Sequence, residues 1–223
     1  MSITRGLGIT EYISSPQTGI IFTANSSPNV GDIIIFAISL QSSTATVITI
    51  IDSHGNTYAK LAGGHYVAGG ISLEVWSCTV LYALPVYVTI TFSASILCSV
   101  TVQDYVGSIG VGNVSTLTTG NDQHPTSADI TLQDANNLIV GPISIFSQIY
   151  DVLWTYGGSY VCASSTGIYT GATSSIVDNT YKYIRTAMSV AARQSPAARP
   201  WMMFAVELRT GVKRYESQAQ LIG

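Results

Sequence analysis

The sequence predicts an all-β protein: an antiparallel β-sandwich of jelly-roll type with long loops and extended termini. Three observations carry this. Segments with a two-residue apolar/polar alternation follow one another, Gly, Asn, Asp and Pro cluster between them, and no stretch shows the 3.6-residue period of a long helix. A chain of 223 residues buries a core without staples. That length favours a jelly roll over an immunoglobulin-like domain of about 100 residues.

The spacing predicts strands over Gly19–Ala24, Asp32–Leu40, Val47–Asp52, Thr57–Gly63, Ser72–Tyr82, Val86–Ser93 and Leu97–Tyr105. Further strands are predicted over Ala128–Leu132, Leu138–Phe146, Lys182–Val190 and Met202–Leu208. In the run from Val86 to Phe92, Val86, Val88, Ile90 and Phe92 share one face, while Tyr87, Thr89 and Thr91 share the other. That is the pattern of a half-buried strand. Phe204, Val206 and Leu208 alternate with Ala205, Glu207 and Arg209 in the same way. Turn chemistry marks Pro28–Asp32, Asp52–Asn56, Ala68–Gly70 and Gly107–Asn113. Eight to eleven strands at this spacing point to two packed sheets. Residues 1–18 read as an N-terminal arm, 19–209 as the sandwich with an irregular excursion over about 147–181, and 210–223 as a C-terminal tail.

Charge is scarce and unevenly placed. Charged residues make up 9% of the chain, against roughly 25% in ordinary soluble domains. A subunit enclosed by protein neighbours has no need of a repelling charged surface, and interfaces are depleted of Lys, Glu and Asp. Residues 1–181 hold Arg5 and Lys60 against ten acidic residues, a balance of −8; residues 182–223 hold seven basic against two acidic, a balance of +5. Arg193, Arg199, Arg209, Lys213 and Arg214 therefore form a candidate partner-docking segment, with a solvated tail as the alternative.

No run approaches the ~20 apolar residues of a membrane-spanning helix, Ile33–Ile38 being among the longest. Thr10, Glu11, Ser14, Ser15 and Pro16 interrupt any signal-peptide core, so synthesis in the cytoplasm is expected. Cys78, Cys98 and Cys162 are too few and too scattered for a disulfide scaffold or a metal site. Cys98 alternates with Val100 and Val102 and reads as a small buried residue, with a Cys78–Cys98 bridge left open.

The materials of catalysis are equally sparse. Asp52, Ser53 and His54 fall within one tight turn, where a relay cannot align; Asp52 is expected to accept neighbouring backbone amides instead. Gly107, Gly110 and Gly112 follow a strand without opening a helix, so they read as a flexible turn and not as a phosphate loop. Glu74, Asp104 and Glu207 could supply a glycosidase pair, but solvent-facing strand carboxylates explain them more simply. Trp76, Trp154, Trp201 and the 13 tyrosines could form a glycan platform, or fill core and interface. Asn25 and Asn113 begin glycosylation sequons. No enzyme, cofactor or metal is expected.

The segment Asp52-Ser53-His54-Gly55-Asn56-Thr57-Tyr58, the strand containing Glu74-Val75-Trp76, the run Val86–Phe92 and Tyr105-Val106-Gly107 resemble a β-sandwich module of viral and microbial surface proteins. With the opening Met1-Ser2-Ile3-Thr4-Arg5-Gly6-Leu7-Gly8 and the length, the chain is similar to vertex proteins of archaeal turreted icosahedral viruses, jelly-roll capsid proteins of the double-jelly-roll lineage. That resemblance implies a structural virion protein at the capsid vertex, as penton base or part of the turret. Its implied partners are further copies in a homopentamer, the major coat protein, other turret proteins and a membrane-embedded vertex protein, with no specific nucleic acid. It brings no catalytic residues. Few carboxylates also suit an acidic setting: with all of them and the three histidines protonated, the charge rises only to +12. A receptor- or glycan-binding spike domain of the virion is the alternative reading, and a glycosidase-like sandwich the third.

Overall fold

The computed structural model describes the backbone of residues 3–12, 15–23, 28–82, 87–122, 127–128, 130–131, 133, 137–145, 153–155, 160–168, 171–178, 187–188, 193–195 and 199–211. Side chains are described for those residues outside 4–12, 69, 122 and 145–199. The strands are β1 (Thr4–Tyr12), β2 (Gln17–Thr23), β3 (Ile33–Leu40), β4 (Val47–Asp52), β5 (Tyr58–Tyr66), β6 (Ile71–Thr79), β7 (Tyr87–Ile96) and β8 (Cys98–Val106). They continue with β9 (Ser108–Val114), β10 (Thr118–Asp122), β11 (Ile130–Thr131), β12 (Leu138–Ile145), β13 (Leu153–Thr155), β14 (Tyr160–Ile168) and β15 (Gly171–Asp178). The last are β16 (Ala187–Met188), β17 (Arg193–Ser195), β18 (Arg199–Met203) and β19 (Val206–Thr210). One 3₁₀ turn, Val67–Gly69, joins β5 to β6, closed by Gly70 at φ +62°.

The protein is an antiparallel β-sandwich with one more layer than the two sheets expected. A central sheet runs β1-β8-β3-β6-β5. An outer sheet, β2-β7-β4, packs on one of its faces through Ile34, Phe36, Ile38 and Leu40 of β3 against Ile20, Phe22, Ile50, Val88 and Ile90. Another outer sheet, β10-β18-β12-β15-β14 with β19 and β9 attached, packs on the opposite face through Ile33, Ile35 and Ala37 against Val140, Met202, Phe204, Val206 and Leu208. Every residue of β3 is therefore buried, its odd and even side chains each entering a separate apolar layer. Phe36 meets Tyr58 edge-on with ring centroids 5.3 Å apart, a favoured aromatic geometry.

Several elements differ from their sequence reading. The stretch read as an N-terminal arm contains β1, which adds to the central sheet beside β8. Gly107–Asn113 is not a flexible turn: only Gly107, at φ +83°, turns the chain, and Ser108–Val114 is strand β9 paired with β19. The excursion over 147–181 contains the β14–β15 hairpin, and β15 pairs with β12. The single strand read over Met202–Leu208 is broken at Phe204–Ala205. Both halves pair with β12, and the break falls where Pro142 of β12 has no N–H to give. Phe204 N–H instead donates to the Pro142 carbonyl at 3.0 Å, and Ala205 exchanges hydrogen bonds with Ser115.

Candidate partner interface

The turn after β4 is organised by Asp52, as its sequence position suggested. One carboxylate oxygen accepts the amides of His54, Gly55 and Asn56, and the other accepts Asn56 Nδ2 and Tyr58 Oη. Burial alone would raise the pKa of Asp52. The hydrogen bonds from Asn56, Tyr58 and the backbone outweigh it and hold the carboxyl below its ordinary value. The Ser53 hydroxyl lies 3.2 Å from His54 Nδ1, but both Asp52 oxygens are committed to the turn and to Tyr58, so the trio forms a cap.

The strand carboxylates do not face solvent. Glu74, Asp104 and Glu207 are all buried. Glu74 receives Lys60 Nζ at 2.9 Å, the Val47 amide at 3.1 Å and Trp76 Nε1 at 2.9 Å, which ties the central sheet to the start of β4. Glu207 accepts the amides of Asn113 and Gln133 and the Nδ2 of Asn137. Asp104 has its pKa raised by burial and by the negative charge of Asp32. In register, Glu74 stands beside Ile38 and Asp104 beside Ile34, on opposite neighbours of β3. Four positions at 3.3 Å separate them by about 13 Å along the strand alone, beyond a glycosidase pair. Glu207 projects away from the apolar layer that its neighbours Val206 and Leu208 enter.

The tryptophans and glycines answer to packing. Trp201 is buried across Gly120, and Trp76 is half-buried with its N–H on Glu74. The side chain of Trp154 and the aromatic side chains of 150–181 lie outside the described residues. Gly112 and Gly110 leave room beside β19 for the side chains of Glu207 and Arg209, which a Cβ would obstruct. Sequence reasoning missed this because the partner strand lies almost a hundred residues away.

Of the basic segment, Arg193, Arg199 and Arg209 lie among the described residues. Arg209 is partly buried in β19, Arg199 stands opposite Asp122 at the β10–β18 pair, and Arg193 opposite Thr155 at the β13–β17 pair. Lys213 and Arg214 lie outside the described residues, as does Asn25. Asn113 lies in β9, where its Nδ2 donates to the Thr131 carbonyl at 2.7 Å and its Oδ1 accepts from Gln133 Nε2 at 3.2 Å. Cys78 and Cys98 are both free and buried, beside Ile34 and Leu40 at opposite ends of β3, which excludes a bridge between them. Burial pushes each thiol up to about 12.

What the surface does offer is an uncharged apolar face. On the outer side of β2-β7-β4, Ile21, Thr89 and Ile51 stand side by side in one row, with Gly19, Thr91 and Thr49 in the next. Ile21 is 68% exposed, Ile51 57% and Tyr87 65%, and Ile48 is exposed beside them. The inner side of the same strands carries Ile20, Ile50, Phe22, Val88 and Ile90 into the core. The sheet thus carries isoleucines on both faces, and the described residues cover only one of them. Compared with protein families, with curated proteins and with solved structures, the chain matches none.

Proposed function

We propose that the protein is a structural subunit of a virion, built into the icosahedral vertex as penton base or part of the turret. In this reading it stands in a homopentamer among coat, turret and membrane-embedded vertex proteins. The observation that carries the reading is the uncharged outer face of β2-β7-β4, with Ile21, Ile51 and Tyr87 turned to solvent in a chain with so little charge to keep copies apart.

The strand order supports the jelly-roll part of it. A jelly roll pairs its first strand with the eighth, the second with the seventh, the third with the sixth and eighth, the fourth with the seventh, and the fourth with the fifth. Strands β1 to β8 make five of these six pairings, and only the last is replaced, by β5 on β6. Of the later strands, β9, β10, β12, β14, β15, β18 and β19 form the further layer on the central sheet.

Antibody labelling of purified virions, read by electron microscopy and accompanied by mass spectrometry of their proteins, tests the function. Label confined to the vertices is the expected result. A protein absent from particles, or spread evenly over their faces, would refute it.

A further inference from the structure

The outer sheet β2-β7-β4 ends on two strand edges that no described residue pairs, β2 on one side and β4 on the other. Proteins normally blunt such edges with charge, proline or irregularity. Strand β5, at the edge of the central sheet, follows that rule: it carries Lys60 and a bulge between Lys60 and Ala62. The outer sheet does not. Its bulges fall at one end, between Gln17 and Gly19 and between Val47 and Thr49, leaving Gly19–Thr23 and Thr49–Asp52 regular. Those two segments contain no proline and only one charge, that of Asp52, whose carboxylate is taken up by the turn over residues 54–58.

The backbone at β4 is oriented for pairing. Ser53 N–H donates inward to the Tyr87 carbonyl, so by alternation Ile50 and Asp52 turn their N–H and C=O groups to the open side. The side chains match as well. Ile20, Ile90 and Ile50 form a buried row across the sheet, and Ile21, Thr89 and Ile51 form the exposed row beside it. Any strand laid along β4 must continue both rows, apolar below and apolar above, and β2 of this same chain has that pattern at that level.

We propose that the open edge of β4 pairs with the open edge of β2 in a second copy, so that the outer sheets of neighbouring copies run on as one. Strands β2 and β4 are both antiparallel to β7 and therefore parallel to each other. A rotation about an axis along the strands preserves their direction, which makes the joint a parallel pair. Two different edges meet, so the contact is heterologous and closes into a ring when the rotation divides a full turn. This inference rests on the assembly reading above and names the first partner of that surface as the chain itself.

The test uses Ile21→Lys and Ile51→Lys, each at an exposed side chain, with circular dichroism to establish that the fold is retained. Sedimentation velocity of the full chain should show self-association for the native protein and monomers for either variant alone. An equimolar mixture of the two should give a heterodimer and nothing larger, because one variant keeps its β4 edge and the other its β2 edge. A mixture that stays monomeric overturns edge pairing in favour of a face-on-face contact, which would use both isoleucines at once. Self-association of either variant to the native extent also overturns it, as does a native protein that is monomeric at every concentration. That last result leaves the vertex labelling to decide the function on its own, so the two failures are told apart.

Discussion

Replacing Glu207 by glutamine removes one charge and almost no volume, and the structure sets what this should cost. One oxygen of the buried carboxylate accepts the Asn113 amide at 2.9 Å; the other accepts the Gln133 amide and Asn137 Nδ2, each at 2.6 Å. Among the described residues no basic side chain forms an ion pair with it, so these three donors hold the charge. A glutamine offers an oxygen to one side only. Turned to keep Gln133 and Asn137, it points its NH₂ at the Asn113 N–H; turned the other way, it opposes two donors. The better orientation loses one hydrogen bond to a charged group, about 1.5–3 kcal/mol, and weakens two others, for a total of about 3–5 kcal/mol. In a protein of this size that is a fall in Tm of about 6–20 °C by calorimetry. Amide hydrogen exchange should quicken at Asn113, where the acceptor is lost, before it changes in β3. A shift below about 2 °C, or unchanged protection at Asn113, would refute the claim that this carboxylate fastens β9, Gln133 and Asn137 to β19.

The titratable side chains set three further outcomes. Asp104 has a folded-state pKa raised by burial and by Asp32, so its contribution to stability is present below the ordinary carboxylate range and is lost as pH rises through the raised value. Asp52 is lowered, so its contribution is present above that range and is lost as pH falls through the lowered value. Denaturant titrations should therefore show Asp104→Asn gaining on the native protein at neutral pH and losing that gain in acid. Asp52→Asn should be weaker at neutral pH and converge with the native protein in strong acid. The opposite pH trend for either variant would contradict the assignment. The thiols of Cys78 and Cys98, pushed up to about 12, should resist alkylation at mildly alkaline pH in the folded protein and react only after denaturation. Peptide mapping that found either one modified under native conditions would show that β6 or β8 opens.

Much of the strand inventory was legible because it is local. Val47–Asp52 matches its expected bounds, and Asp32–Leu40, Leu97–Tyr105 and Leu138–Phe146 are within a residue at either end. The turn at Asp52 was readable for the same reason, since its acceptor and its donors lie within a few residues of one another. Strand β8 shows where this stops. Cys98, Val100 and Val102 alternate with Ser99, Thr101 and Gln103, which reads as one buried and one wet face; yet both sets are buried. A hydroxyl or amide can lie under a covering sheet when it finds a partner there, as Ser39 of β3 does in the Ser144 hydroxyl of β12. The signal available was the unbroken Ile33–Ile38 run in β3. A strand that is apolar at every position needs cover on both sides.

The sequence by itself determined the class of secondary structure, most of the places where the chain turns, and the low charge. These depend on alternation, backbone preference and composition, all of which act within a few residues. Only the tertiary structure decided that the sandwich has three layers, that Glu74 and Glu207 are buried clasps, and that the isoleucine rows of β2 and β4 lie level on a sheet whose outer face no described residue covers. Each of those is a matter of register between strands far apart in sequence. Register is fixed by which side chains fit together across a sheet and between sheets, and no local pattern carries that information.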